Sequence, residues 1–210
     1  MEIIMAISNV IFDLGAVLLE WKPNKIVTEF TNDRDLQNNI KEHILSHPDW
    51  LELDKGALVE SDAYSKFAER CDVNPGTIKQ FFNHVRQSLK LKEDTKLIFN
   101  DLLRANIPLY CLSNMSVDNF EFLQSKYDFF SEFKGIEVSG YLNMAKPDVK
   151  IFHHLLNKYE LITEHTLFID DSEHNIKAAE TLKVNCIHFT SATECRNELI
   201  NRFGLLGVSR

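Results

Sequence analysis

Three short stretches of this 210-residue chain end an apolar run on side chains that can do chemistry. NVIFDL carries Asp13, IPLYCLSN ends on Ser113 and Asn114, and HTLFIDDS runs into Asp170 and Asp171. In a fourth, NMAKPDVKIF, Lys146 stands before Pro147, the mark of a loop entering a helix. Brought together, three carboxylates repel one another unless a cation lies among them. A hard divalent ion held by carboxylates, a backbone carbonyl and water suits such donors, Mg²⁺ before others, and no His/Cys grouping points to zinc. Lys146, the Ser113 hydroxyl and the free backbone N–H groups of the turn after it make a site for an anion.

Phosphate gives every one of these groups a task. A carboxylate meeting a phosphate dianion at ~3.5 Å faces a repulsion on the order of 9 kcal/mol at an effective dielectric near 20. Mg²⁺ and a lysine together offset it. The set is self-consistent for attack of Asp13 on phosphorus, giving an aspartyl-phosphate that water later hydrolyses. Such chemistry usually wants a second acid beside the nucleophile, and Gly15, two residues on, cannot be one.

The elements that must position these residues can be read from periodicity. Asn9 to Leu14 reads as a buried strand, with further strands over 107–114, 133–139, 165–172 and 184–190. Helical patterns separate them at 93–105, 116–126, 148–158, 173–182 and 192–202. Strand and helix in alternation give an α/β fold with a parallel, Rossmann-like sheet covered on both faces. Such sheets bind ligands at the carboxyl ends of their strands, where Asp13, Ser113 and Asp170–Asp171 all fall. Residues 22–90 break the rhythm with helical patterns alone, NPGTIKQFFNHVRQSL the clearest, and read as an α-helical cap inserted after the first strand. The expected division is therefore a core of 1–21 and 91–210 with a cap of 22–90.

Composition narrows the classes. The chain is 44% hydrophobic and 26% charged, as expected of an ordinary soluble protein. A formal charge of −8 without a long basic run argues against a nucleic-acid partner, and no apolar stretch reaches membrane-span length. MEIIMAIS has Glu2 where a targeting segment would be basic, and is read as structure. Four cysteines without metal-binding spacing suit a reduced, cytoplasmic setting. Oligomeric state is not legible.

FDLGAV, LSN, AKPD..IF and FIDDSEHNI, in this order, resemble the four motifs of the haloacid dehalogenase-like (HAD) superfamily, most of all its sugar-phosphate phosphatase branch with a D-L-G first motif. The chain is similar, too, to the phosphatase domain of soluble epoxide hydrolases. The resemblance spans nearly all of the core and puts the cap where that superfamily inserts one. It implies Asp13 as nucleophile and Mg²⁺ ligand, Gly15 lending its carbonyl to the metal, and Ser113 and Lys146 holding the phosphate. Asp171 would be the second carboxylate ligand, with Asp170 close by, Asn175 in support and Asn114 at the phosphate or its loop. Most phosphatases of the superfamily carry an Asp where Gly15 stands, as acid to the leaving group. General acid–base help is worth about 10²–10⁴-fold; its loss narrows the phosphatase reading to an easily expelled leaving group or to a substitute such as Glu20 or a cap residue.

Plainer roles compete. DDSEHNI suits a helix start, so one of the two aspartates caps that helix and Asp171 is the favoured ligand. In the cap, HPDWLELDKGAL brings Trp50, Asp54 and Lys55 before Gly56 at a turn, where they could face the site and choose the substrate; Trp50 serves equally as an anchor of the cap's own core. The expected substrate is a small phosphorylated metabolite, a sugar phosphate by resemblance. A binding protein with turnover blunted by Gly15 is the alternative. A metal-free 2-haloacid dehalogenase, in which the Asp attacks carbon, fits less well, because paired acids serve it poorly.

Overall fold

The computed structural model describes residues 7–207, so the reading of the first residues as structure lies largely outside it. The chain opens with β1 (Asn9–Phe12) and then runs through helices α1 (Pro23–Phe30), α2 (Arg34–Ile40), a π-helical turn at Lys41–Leu45, α3 (Pro48–Asp54), α4 (Glu60–Cys71) and α5 (Pro75–Ser88). Next come α6 (Glu93–Arg104), β2 (Leu109–Ser113), α7 (Val117–Lys126), a 3₁₀ turn at Asp128–Glu132 and β3 (Gly135–Val138). The chain continues with α8 (Ser139–Leu142), α9 (Val149–Lys158), β4 (Thr166–Asp170), α10 (Glu173–Thr181), β5 (Asn185–His188) and α11 (Ala192–Asn201).

The strands form one parallel sheet in the order β3-β2-β1-β4-β5. Both faces are covered, so the strands need apolar residues in unbroken runs rather than alternation. On one face Val10, Phe12, Cys111 and Ile169 pack with Phe99 of α6, Leu123 of α7 and Leu199 of α11. On the other, Ile11, Leu112 and Phe168 meet Ile151 and Leu155 of α9 and Ile176 of α10. A fully buried Leu, Ile or Phe is worth roughly 1.5–3 kcal/mol, so these two layers hold the strand ends at fixed heights.

The helices between β1 and β2 enclose an apolar cluster of their own, built on Ile26, Val27, Ile44, Phe67, Phe81 and Phe82. Helix α5 starts where Asn74-Pro75 announces it: Pro75 is its first residue, and the Asn74 side chain accepts from the Thr77 N–H at 3.0 Å. Trp21 packs against both this cluster and the sheet's, so it ties cap to core. Among the described residues no helix is long and apolar enough to cross a membrane.

Candidate active site

Register brings the carboxylates level. Phe12 pairs with Ile169, and the Asp13 N–H donates to the Ile169 carbonyl at 2.9 Å, so Asp13 and Asp170 leave neighbouring strands side by side. Lys146, in the loop before α9, lies over the two strand ends. Its Nζ donates to Asp13 Oδ1 at 2.8 Å, to Asp170 Oδ2 at 2.6 Å and to the Leu112 carbonyl at 2.8 Å. Asn114 fixes that lysine through its main chain: its Oδ1 accepts from the Lys146 N–H and its Nδ2 donates to the Lys146 carbonyl, both at 2.8 Å. The amide of Asn114 is thereby occupied in holding Lys146.

The two adjacent aspartates differ sharply. Asp170 is wholly buried, and besides Lys146 it accepts from the Ser172 N–H at 2.8 Å and from Asn175 Nδ2 at 3.0 and 3.1 Å. Those bonds make it the helix-start carboxylate of the pair. Asp171 lies open to the cavity, and among the described residues its carboxylate meets only its own backbone N–H, with no side-chain hydrogen bond. One oxygen from each of Asp13, Asp170 and Asp171 can be chosen so that all three lie within 4.8 Å of one another.

Burial pushes the Asp13 carboxyl up, Lys146 pulls it down, and Asp170 and Asp171 push it up again. Burial works against the Lys146 charge, but Asp13 and Asp170 outweigh it and hold the ammonium above the ordinary lysine range. Asp171 is raised by burial and by Asp170. One ammonium among three carboxylates leaves an excess of negative charge in a poorly solvated place. Asp171 with no cationic side chain bonded to it among the described residues, Asp13 with only its Oδ1 bonded to Lys146, and Gly15 on the cavity wall form an oxygen-rich set suited to a hard divalent cation.

Above these groups lies a cavity of about 440 Å³. Asp13, Gly15, Asn114, Lys146, Asp171 and Asn175 line its sheet end, and Trp21, Pro23, Leu45, Trp50, Leu89 and Met115 give the rest a mostly apolar wall, interrupted by Ser46, Asp54 and Asn119. Trp50 stacks on Trp21 at 6.1 Å and also packs on Phe82, so it serves both the cavity and the cap's core. Asp54 lines the cavity too. Lys55 does not; its ammonium pairs with Glu52 at 2.5 Å. Ser113 ends β2 almost fully buried, beneath the lining residues. Glu20 borders a different cavity, with Lys22, Lys25 and His84.

Sequence reasoning passed over Asn119 and Trp21. Asn119, 6% exposed at the start of α7, lines the cavity with a buried Oδ1 that has no partner. Its only sequence signal was its place three residues after a serine that caps the helix, which says nothing of a cavity.

The family model for haloacid dehalogenase-like hydrolases matches residues 7–182. The chain is 31% identical over 201 residues to drimenol cyclase of Aspergillus calidoustus; the match covers 92% of this chain but 36% of that protein, about a third of its length. It is 24% identical over 189 residues to a sesquiterpene phosphatase of Aspergillus oryzae, covering 90% of this chain and 93% of that one. Among solved structures, a HAD family enzyme from Bacteroides thetaiotaomicron superposes with a TM-score of 0.77 at 24% identity, covering 93% of this chain and 99% of its own. That enzyme has also been solved with magnesium and inorganic phosphate (TM-score 0.63, 22% identity, covering 88% and 95%).

Proposed function

The chain belongs to the haloacid dehalogenase-like hydrolase family, and from that premise we propose that it is a Mg²⁺-dependent phosphatase acting on a small phosphate ester through an aspartyl-phosphate on Asp13. The observation that carries this reading is the set of carboxylates that a single lysine leaves unbalanced at the strand ends. A dehalogenase nucleophile would gain nothing from a further carboxylate, Asp171, open to the cavity, whereas a metal-assisted phosphoryl transfer needs it. Asp13, Asp171 and the Gly15 carbonyl would hold the ion, which when bound neutralises charge on the phosphoryl oxygens. Asp170 is saturated by Lys146, Asn175 and Ser172, so its role in this reading is to position the lysine.

In the first step an Asp13 oxygen attacks phosphorus and the bond to the ester oxygen breaks. Lys146 stays charged, and by giving up its bond to Asp13 Oδ1 as that oxygen attacks it would meet a phosphoryl oxygen. Ser113 ends the same strand edge but lies off the cavity wall, so its hydroxyl would reach the phosphate only through a shift of the loop that follows it. In the second step water attacks phosphorus, and Asp13 is released with inorganic phosphate.

The apolar surface of Trp21, Trp50, Leu45, Leu89 and Met115, broken only by Ser46, Asp54 and Asn119, favours the phosphate ester of an apolar alcohol over a sugar phosphate, which needs a partner for every hydroxyl. The likeness to a sesquiterpene phosphatase supports the same substrate class. The core at 1–21 and 91–210 would carry the nucleophile, the lysine and the metal ligands, and the cap at 22–90 would close over the alcohol.

The test is phosphate release from prenyl, alkyl, sugar and p-nitrophenyl monophosphates, with Mg²⁺ or EDTA. Metal-dependent release that vanishes in Asp13→Asn, strongest on apolar esters, is the expected result. Mg²⁺-dependent phosphate binding without any turnover would instead support a binding protein.

A further inference from the structure

The alkoxide of an apolar alcohol is a poor leaving group, and Gly15 offers no proton for it. Among the cavity's described lining residues, the carboxylates are Asp13, Asp54 and Asp171. Asp13 and Asp171 belong to the charged cluster at the sheet. Asp54 comes from the cap and stands apart from that cluster.

Its position is fixed at the junction of cap and core. The Ser139 hydroxyl donates to the Asp54 carbonyl and accepts from the Met115 N–H at 2.9 Å, so one side chain ties the end of α3 to the loop after β2. Gly56, just beyond, has φ +76°, and a Cβ there would lie 2.1 Å from the Gly140 carbonyl oxygen. The two backbones touch, and no larger residue fits between them. The Asp54 carboxyl faces the backbone N–H of Ser116, the residue that caps α7. Asn119, whose own N–H donates to the Ser116 hydroxyl, adds an unpaired, buried Oδ1 to the same cavity. A buried acceptor without a protein partner needs one from the cavity's contents.

We propose that Asp54 is the acid–base residue of this site, replacing from the cap the group that Gly15 lacks. The assignment rests on the phosphatase reading. In the first step the Asp54 carboxyl gives its proton to the ester oxygen as the P–O bond breaks and the Asp13–phosphorus bond forms. In the second, the Asp54 carboxylate takes a proton from the water attacking phosphorus, while Asn119 Oδ1 accepts a hydrogen bond from the O–H that stays with the phosphate. Asp13 leaves with its bonding pair, inorganic phosphate departs, and Asp54 is again protonated. Burial raises the Asp54 carboxyl to about 7, opposed by the Ser116 N–H, with no neighbouring charge among the causes. An acid poised there can both give and take a proton near neutral pH.

The discriminating experiment compares Asp54→Asn on the best alkyl or prenyl monophosphate with p-nitrophenyl phosphate, whose leaving group needs no proton. Asparagine keeps an acceptor for Ser116, so the cap stays docked. Turnover of the alkyl ester should fall by about 10²–10⁴-fold. On p-nitrophenyl phosphate the first turnover should survive within about tenfold, giving a burst of one equivalent of p-nitrophenolate before a slow steady state, because only the base for the second step is missing. At Gly15 a Cβ would meet nothing closer than Trp21 Cβ at 3.9 Å, so an acid can be introduced there. Adding Gly15→Asp to Asp54→Asn should recover at least tenfold of the alkyl activity. Equal losses on both esters in the first turnover, or no loss on either, overturn the assignment. A wild-type protein that releases phosphate from none of them overturns the phosphatase reading itself, and the assignment with it.

Discussion

The cap and the sheet rim each bury a cluster of charges, and the two are built on opposite terms. In the cap, Arg86 pairs with Glu60, at 8% and 5% exposure; the Tyr64 hydroxyl donates to Glu60, and Arg86 donates to Asn83 Oδ1 at 3.0 Å. The charges cancel, and neither residue lines a described cavity. At the rim, one lysine faces Asp13 and Asp170 with Asp171 alongside, and a cavity opens above them. A balanced buried pair roughly offsets its own desolvation. An unbalanced one needs something from outside. Burial of charge therefore points to chemistry at the rim and to folding in the cap, although the two look alike residue by residue.

Substitution separates the two most strongly through their opposite readouts. Asp13→Asn should lower phosphate release by more than ~10³-fold, since it removes the nucleophile. It should leave the metal-free protein as stable as before, because Lys146 keeps Asp170 as its partner and one excess negative charge is gone. Activity assay and denaturant titration check the two halves. Arg86→Met should do the reverse. It strands a buried carboxylate at a cost of about 3–5 kcal/mol, while each folded molecule turns over normally. Adding Glu60→Leu should recover most of that stability. If Asp13→Asn destabilises as much as Arg86→Met, the distinction between the clusters fails.

The same comparison sets the response to metal. At 100 times its dissociation constant, Mg²⁺ should stabilise the wild-type protein by about 2.7 kcal/mol, read as a rise in Tm. The rise should disappear in Asp171→Asn and persist in the Glu60→Leu/Arg86→Met double variant. A rise of equal size in Asp171→Asn would remove that residue from the ion's ligands.

Much of the rim was legible in the sequence, because parallel strands bury both faces and write their positions as apolar runs. All five strand segments and the five helices of the α/β rhythm fall where periodicity puts them, with ends trimmed by a residue or two. Asp13, Lys146 and Asp170–Asp171 could be singled out because strand ends of such a sheet converge. Their division of labour was less accessible. That Asn114 spends its amide on the Lys146 backbone depends on two loops 32 residues apart. Whether Asp170 or Asp171 turns inward is decided by Asn175 and the Ser172 N–H, which local sequence reads only as a helix start. The cap was harder still. Trp50, Asp54 and Lys55 sit within one short segment, yet Trp50 and Asp54 reach the cavity while Lys55 turns to Glu52. The Lys55–Glu52 pair is local, but the contact of the 54–56 segment with Ser139 and Gly140, which sets this turn against the sheet, is not encoded nearby.

Asp54 belongs to neither cluster: a carboxyl buried alone, with a backbone N–H and no countercharge. That isolation has a sign in the stability curve. In the unfolded chain the carboxyl releases its proton near pH ~3.9, whereas in the folded protein it holds it to about 7. Below about pH 4 both states are protonated and the group adds no pH dependence. Between the two values the unfolded chain sheds its proton while the folded one keeps it, so stability falls as pH rises; above about 7 the loss is complete and constant. Because the residue as a whole is only half-buried, although its carboxyl is enclosed, the whole loss is discounted to about 1–2 kcal/mol. Asp54→Asn cannot ionise and should escape it. Its stability relative to wild type should therefore start near zero at pH 4 and climb to about 1–2 kcal/mol at pH 8, measured by urea unfolding at a series of pH values without metal. Parallel curves for the two proteins would mean that solvent reaches the carboxyl in the folded state, and that Asp54 is no more isolated than a surface residue.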